Sequence, residues 1–491
     1  MTHLRQSDTD ACPGALRLHA AADGLLARVR LPGGLLSGVQ LRCLRELAEE
    51  FGDGRLELTS RANLQLRALQ AERVETLAVR LRAAGLLPSP THDAVRNIAA
   101  PPLADDHTRG LVARLDAAIC ADPGLAALPG KFLFAVGEVP LAADVAAVPS
   151  PAPPGSACAG RWFTLRFGGR DTGLRVDAGR VVAALIASGH AFLAEREEQR
   201  TGPAAAWRLR ELAEGPVRVS ARVAEALGVT PVGAPGAVTA PGAVGAPGAV
   251  GAPGAVGAPG AVGAPGAWSA AGAAPAGGLE PASLVGVVTE NGQFAAGASV
   301  PLGRLEGVQA RVLEDAERLV VTPWRGVLVP GLTAAAAAGW TERMAAVGLV
   351  VTDRSRWTGV SACAGRPGCA RSLADVRADA DAATRFVAGL PVHWVGCARA
   401  CGSPAGRHVR VEATAGGYEV TRRSPDGTVP TETTPAGTAG AAGNAGDAGA
   451  GDAGAGAGDA GDAVGPIGAG SVGAGDAVGV LEDLVAGARR A

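Results

Sequence analysis

Lysine is almost missing from this chain of 491 residues: of its 45 basic residues 44 are arginine, and Lys131 alone is lysine. The excess of Ala, Gly, Pro, Val and Arg suggests codons rich in G and C, a pressure that readily turns a surface lysine into arginine. A lone lysine then marks a place where a compact ammonium is needed and a flat guanidinium does not serve; chance survival is the alternative. Net charge is missing too, at −2, so there is no global case for nucleic-acid or anionic-membrane binding. No apolar run approaches the roughly 18 residues of a membrane-spanning helix, and the first residues lack a basic segment followed by an apolar one. The expectation is a soluble, cytoplasmic protein with neither nucleic acid nor membrane as partner. No G-x-G-x-x-G follows a strand pattern, so direct nicotinamide binding is not supported.

What is present is unevenly spread. Residues 15–31 alternate in two segments joined by Asp23-Gly24, a hairpin signal. Pro32-Gly33-Gly34 makes a turn, and Ser37 with Gln40 forms a capping box. The box opens a helix whose apolar positions are Val39, Cys43, Leu44, Leu47 and Phe51. Strands at 56–59 (LELT) and 63–69 (NLQLRAL) follow, then a helix over 71–84. A fainter copy returns near 284: Gly38-Val39-Gln40 recurs as Gly307-Val308-Gln309, and LELT as LVVT at 319–322. Two such units predict an internally duplicated α+β protein.

Between the copies, residues 232–278 consist largely of GAPGAV repeats, with too little apolar area to offset backbone entropy; they are expected to be a disordered linker. The Gly/Ala/Asp-rich stretch 426–479 is expected to be disordered for the same reason. The last segment, VLEDLVAGARRA, reads as a short amphipathic helix or, more readily, a frayed tail. The remaining boundaries are a half-domain at 12–80, a larger domain at 85–215, a second half-domain at 284–350 and a cysteine-bearing domain at 351–425.

Four of the eight cysteines come in two tight pairs: Cys363 and Cys369 in SACAGRPGCARS, and Cys397 and Cys401 in VGCARACGSP. Disulfides do not suit a chain without an export signal. Structural zinc prefers narrower first pairs. An iron–sulfur cluster takes four thiolates at unequal spacings, and Gly365, Gly368, Gly396 and Gly402 permit close approach of backbone amides. The spacing favours a cluster, with zinc left open.

The pattern C-x5-C followed by GC-x3-CG resembles the signature of the ferredoxin-type nitrite and sulfite reductases and of the related precorrin-3B synthases. Further stretches are similar in the same order: ARVRLPGG (27–34), LTSRANLQLRAL (58–69), VRN (95–97) and LPGKF (128–132). The resemblance implies a pseudo-duplicated nitrite/sulfite reductase fold of two ferredoxin-like half-domains and two larger α/β domains that hold cluster and tetrapyrrole. It implies that Cys363, Cys369, Cys397 and Cys401 ligate a 4Fe-4S cluster. It also implies that Arg28, Arg30, Arg61, Arg96 and Lys131 line an anion and tetrapyrrole pocket, with Lys131 and Arg96 as catalytic residues.

One departure separates the relatives. The sulfite reductases resembled here carry K-F-K, whereas this chain has Lys131-Phe132-Leu133. Together with a first motif close to residue 1, this resembles the precorrin-3B synthases more. That branch implies an oxygen-dependent monooxygenase that hydroxylates a precorrin-3A-like tetrapyrrole and closes a lactone during cobalamin biosynthesis. Its partners would be dioxygen and a ferredoxin or NADH-dependent reductase as electron donor. It would also carry a mononuclear non-haem iron, whose ligands the sequence does not locate; His19, His92, His393 and His408 are the histidines considered for it. The alternative branch is an assimilatory nitrite or sulfite reductase carrying siroheme.

Overall fold

The computed structural model describes residues 12–154, 156, 160–202, 205–232, 284–290, 292–404, 406–424, 434–435 and 474–490. The repeat stretch and most of the Gly/Ala/Asp stretch lie outside the described residues.

The first half-domain is built as its sequence pattern dictates. Strands β1 (His19–Ala21) and β2 (Gly24–Val29) form the hairpin, with Gly24 at φ 125 in the turn. After the Pro32–Gly34 turn come β3 (Leu35–Leu36) and α1 (Gly38–Phe51), whose capping box of Ser37 and Gln40 is formed on both sides. Strands β4 (Leu56–Leu58) and β5 (Leu64–Leu69) and helix α2 (Val74–Ala83) complete it. Helix α1 buries Leu41, Leu44, Leu47, Ala48 and Phe51. Val39, expected on that face, is 72% exposed; it precedes Leu44 by five residues, which places it about 140° round the helix.

The next module is a five-stranded sheet flanked by helices: β6 (Ile98–Ala99), α3 (Asp106–Ala121), β7 (Phe134–Val136), β8 (Val145–Ser150), β9 (Trp162–Phe167), β10 (Arg170–Asp177), α4 (Val181–Glu198) and α5 (Gly215–Leu227). Strands β6, β7 and β8 are parallel and the rest antiparallel. Phe134, Phe163, Phe167 and Phe192 fill its core.

The second half-domain repeats the first: β11 (Gly286–Glu290), β12 (Gln293–Ser299), β13 (Arg304–Leu305), α6 (Gly307–Leu313), β14 (Leu319–Val321), β15 (Gly326–Leu332) and α7 (Ala334–Ala346). The likeness reaches single bonds. Gln40 donates to the Ala84 carbonyl at 3.1 Å and Gln309 to the Val347 carbonyl at 3.3 Å. Glu306 replaces Ser37 in an equivalent capping box.

The two halves exchange a strand. One sheet runs β1-β2-β5-β4-β13 and the other β11-β12-β15-β14-β3, so each is finished by two residues of its counterpart. Arg304 pairs with Glu57 and Leu319 with Leu36. One apolar core spans both halves, from Leu44 and Leu66 to Val321 and Met344.

The last module carries the cysteine pairs. Its sheet runs β16 (Val360–Ala362), β17 (Val392–Val395), β18 (His408–Thr414), β19 (Gly417–Arg423) and β20 (Thr434–Pro435), with α8 (Val376–Ala382) and α9 (Ala474–Arg490) as its helices. The end of the chain is not a frayed tail. Leu481 and Val485 join the core of Trp394, Val409 and Val411, and Arg489 donates to the carbonyls of Leu390 at 2.9 Å and Thr358 at 2.8 Å. The α+β duplicated architecture is the one the sequence implied.

Candidate functional site

The cysteines lie on two loops at the ends of β16 and β17. The loops are sewn together: Cys363 N–H donates to the Trp394 carbonyl and Leu373 N–H to the Gly396 carbonyl, both at 2.8 Å. The Gly396 amide donates to Cys363 Sγ at 3.3 Å. Burial pushes the Cys363 thiol up, while the Gly396 and Gly365 amides pull it down. All four are free thiols, Cys401 exposed and the others half-buried. Backbone close to the sulfurs requires glycine: a Cβ on Gly396 would stand 1.7 Å from Ser372 Oγ, and Gly365 and Gly402 have φ of +68 and +82. Four thiols on two amide-rich, glycine-shaped loops suit a cluster, whose corners stand several ångströms apart. They are not gathered round one point: among the described residues no three His, Cys, Asp or Glu side chains converge as ligands of a single ion.

The basic residues divide into two kinds. Arg28, Arg30 and Arg61 are brought close enough to repel one another. Arg30 is 2% exposed and donates to the carbonyls of Pro13 at 3.1 Å and Ala94 at 3.3 Å. Burial, then Arg28, lowers its pKa to about 9. Arg28 holds Gln65, its cross-strand partner, at 2.9 Å. Arg61 projects from a turn that Thr59 Oγ1 fixes by accepting the Arg61 and Asn63 amides, at 3.3 and 3.1 Å. Its guanidinium has no hydrogen-bond or ion-pair partner among the described residues; burial, then Arg208, draws its pKa to about 10. Lys131 stands over the Trp207 ring, 4.5 Å from the centroid.

Arg96 is different. Its Nε and Nη2 grip both oxygens of Asp116 at 2.7 Å, and the residue is 5% exposed. The expected ligand-facing arginine is committed to α3 instead. Its neighbour Asn97 links the VRN and PGK motifs by donating to Gly130 at 2.8 Å.

Three comparisons bear on this arrangement. The profile of the nitrite/sulfite reductase ferredoxin-like half domain matches residues 19–84. A ferredoxin–nitrite reductase of Leptolyngbya laminosa is 37% identical over 123 residues, 23% of this chain and 24% of that protein. A precorrin-3B synthase of Sinorhizobium sp is 44% identical over 68 residues, 14% of this chain and 15% of that protein. The chain thus aligns with a quarter or less of the length of these relatives. In three dimensions it matches the NirA protein of Mycobacterium tuberculosis with a TM-score of 0.61 and 19% identity, over 84% of this chain and 77% of that one. The duplicated fold is therefore shared.

The ferredoxin-like half domain also holds the cysteine loops, through residues the sequence did not point to. Arg67 donates to the Gly368 carbonyl at 2.5 Å, and Glu57 holds Arg377, on α8 of the cysteine module, which donates to the Cys363 carbonyl at 3.0 Å. Glu57, 6% exposed, anchors both arginines, at 3.7 and 2.5 Å. From the second half-domain Arg325 donates to the Gly402 carbonyl at 3.2 Å. Arg325 stands where the first copy has Ala62, both at positive φ (59 and 57). The signal was available: an arginine inside each copy of the turn after LELT and LVVT.

Of the four candidate histidines, His19 is exposed on β1, and the other three have structural partners. His92 lies between Ser89 Oγ and the Asp122 carbonyl, each at 2.9 Å. His393 meets Ser361 Oγ at 2.8 Å and the Cys401 carbonyl at 3.0 Å. Burial lowers its pKa to about 3, so it is neutral and orients the Cys401 loop. His408 caps the Gly406 carbonyl at 2.9 Å. The described residues thus offer no three-ligand set for the mononuclear iron. No described helix is long and apolar enough to cross a membrane.

Proposed function

We propose that the protein is an oxidoreductase that binds a carboxylate-rich tetrapyrrole beside a 4Fe-4S cluster, of the precorrin-3B synthase type. The observation that carries this reading is Arg61: a half-buried guanidinium with no hydrogen-bond or ion-pair partner among the described residues, repelled by Arg208 and Arg28, is stabilised by any carboxylate brought to it. Cys363, Cys369, Cys397 and Cys401 would hold the cluster, which supplies single electrons when bound. Arg28, Arg61 and Lys131 would receive substrate carboxylates, while Arg30 and Arg96 hold the surrounding loops. Leu133 favours this branch over the reductases. Its side chain is 3% exposed and packed with Ala99 and Ala135, so the loop offers one ammonium where a proton-consuming oxyanion reduction would use two.

The alternative, a siroheme nitrite or sulfite reductase, has support in the nitrite-reductase likeness of this chain. Purification without air, a visible spectrum and assays for iron, sulfide and extractable pigment separate the readings. Broad cluster absorption, about four irons per chain, no extractable tetrapyrrole and dioxygen-dependent conversion of precorrin-3A are expected. Siroheme bands that change with nitrite or sulfite overturn the synthase reading; a colourless protein containing zinc overturns both.

A further inference from the structure

The region around Lys131 is built more carefully than an anion pocket requires. On its C-terminal side, Leu133 N–H donates to Asp144 Oδ2 at 2.8 Å. The other oxygen of Asp144 accepts from Leu209 N–H at 2.8 Å and from Arg208 Nε at 2.9 Å. Asp144 is 2% exposed. One buried carboxylate therefore clasps the Lys131 segment to the segment that carries Trp207. On the other side Asn97 holds Gly130, and Phe132 is wedged against Phe134 and Phe192, ring centroids 5.0 and 4.6 Å away. The backbone N–H of Trp207 donates to Glu211 Oε2 at 2.8 Å. With the backbone pinned on both sides, the Lys131 side chain extends so that its ammonium stands over the indole face, 4.5 Å from the ring centroid.

We propose that Trp207 is a positioning residue for Lys131, helping to fix where this ammonium stands so that it meets a substrate carboxylate in a set geometry. The proposal rests on the carboxylate-binding reading above for what the ammonium meets, not for the contact itself. It also accounts for a lysine in a chain of arginines. A guanidinium would stack flat on the indole, whereas an ammonium has three donors diverging from one point and serves ring and carboxylate together.

The sequence makes the test unusually clean, because an amine-selective acylating reagent can modify only Lys131 and the amino terminus. The labelling rate of Lys131 is read by peptide mass spectrometry on the full-length protein, with thermal melts as a folding control. Trp207→Leu is expected to label about two- to fivefold faster than the parent, and Trp207→Phe to lie between, following ring quadrupole strength. A space-filling role alone would give no such ranking at matched melting temperature. Equal labelling in all three proteins overturns the proposal. Should the Leu variant fail to fold, the Phe variant decides, equal to the parent or faster. Uroporphyrin III, a polycarboxylate tetrapyrrole, is titrated in parallel, and its affinity is expected to fall in the same order. If it binds none of the proteins while the labelling ranking holds, the tetrapyrrole reading fails and the positioning role stands.

Discussion

Arg377 reaches Glu57 at 2.5 Å and the Cys363 carbonyl at 3.0 Å, joining the first half-domain to the cysteine loops through one guanidinium. Both side chains are largely buried, 13% and 7% exposed. Glu57→Gln leaves Arg377 and Arg67 inside without their counter-charge. A loss of about 3–5 kcal/mol is expected, measurable by denaturant unfolding. The pH dependence has a definite sign. Burial raises the Glu57 pKa, but Arg377 and then Arg67 overcome it and hold the carboxyl below its usual range. The unfolded chain therefore binds the proton more readily. This stabilisation is complete above about pH 4.3 and fades as pH falls through the folded pKa. The parent should show this acid slope and the Gln variant should lack it.

Arg61 and Arg96 should separate binding from stability. Arg61→Met removes a guanidinium with no hydrogen-bond or ion-pair partner among the described residues and relieves its burial and its repulsion by Arg208 and Arg28, so stability should not fall. Uroporphyrin affinity should fall about ten- to a hundredfold, as for a lost charge-assisted bond. Arg96→Met leaves Asp116 without its partner and should cost about 3 kcal/mol, with binding reduced only as folding is. A folded Arg96→Met protein of normal stability that fails to bind would return Arg96 to the ligand-facing set.

Gly396→Ala tests the fit of the cysteine loops. The new Cβ would collide with Ser372 Oγ and displace the amide that faces Cys363. Overpacking should cost about 1–3 kcal/mol, and iron and sulfide per chain should fall. Adding Ser372→Gly removes the colliding side chain and should restore part of both.

Leu481→Ala tests whether the C-terminal helix belongs to the core. Leu481 is 5% exposed and packs in the cluster with Val409 and Val411, so a loss of about 2–5 kcal/mol is expected. An unchanged unfolding midpoint would count against a docked helix.

Much of this was legible in the chain. The capping box at Ser37 and the recurrence of its Gly-Val-Gln gave the duplication, because local hydrogen bonds and helical periodicity are written in neighbouring residues. The free thiols Cys363, Cys369, Cys397 and Cys401 lie on paired loops for the same reason: short spacings keep them together. What the sequence hid was long-range. Whether an arginine faces a ligand or a carboxylate depends on residues far away, as with Arg96 and Asp116. Arg67 and Arg325 act on loops 301 and 77 residues away, and Arg377, 14 residues from Cys363, meets Glu57 across 320 residues. The docked C-terminal helix was missed because its apolar face is short and follows a stretch of Gly, Ala and Asp.

The strand exchange has a consequence for the covalent chain itself. Each half-domain sheet ends on residues borrowed from the other, Leu35–Leu36 in one direction and Arg304–Leu305 in the other. Arg45 and Glu314 at 2.5 Å, and Arg55 and Glu306 at 2.9 Å, fasten the seam from both sides. Neither half can be cut free without losing an edge and baring the shared apolar interior. The molecule is, in effect, a reciprocal dimer carried on one polypeptide, and its unity resides in the interlock. A single nick anywhere in residues 233–283 should therefore leave the two fragments travelling as one particle.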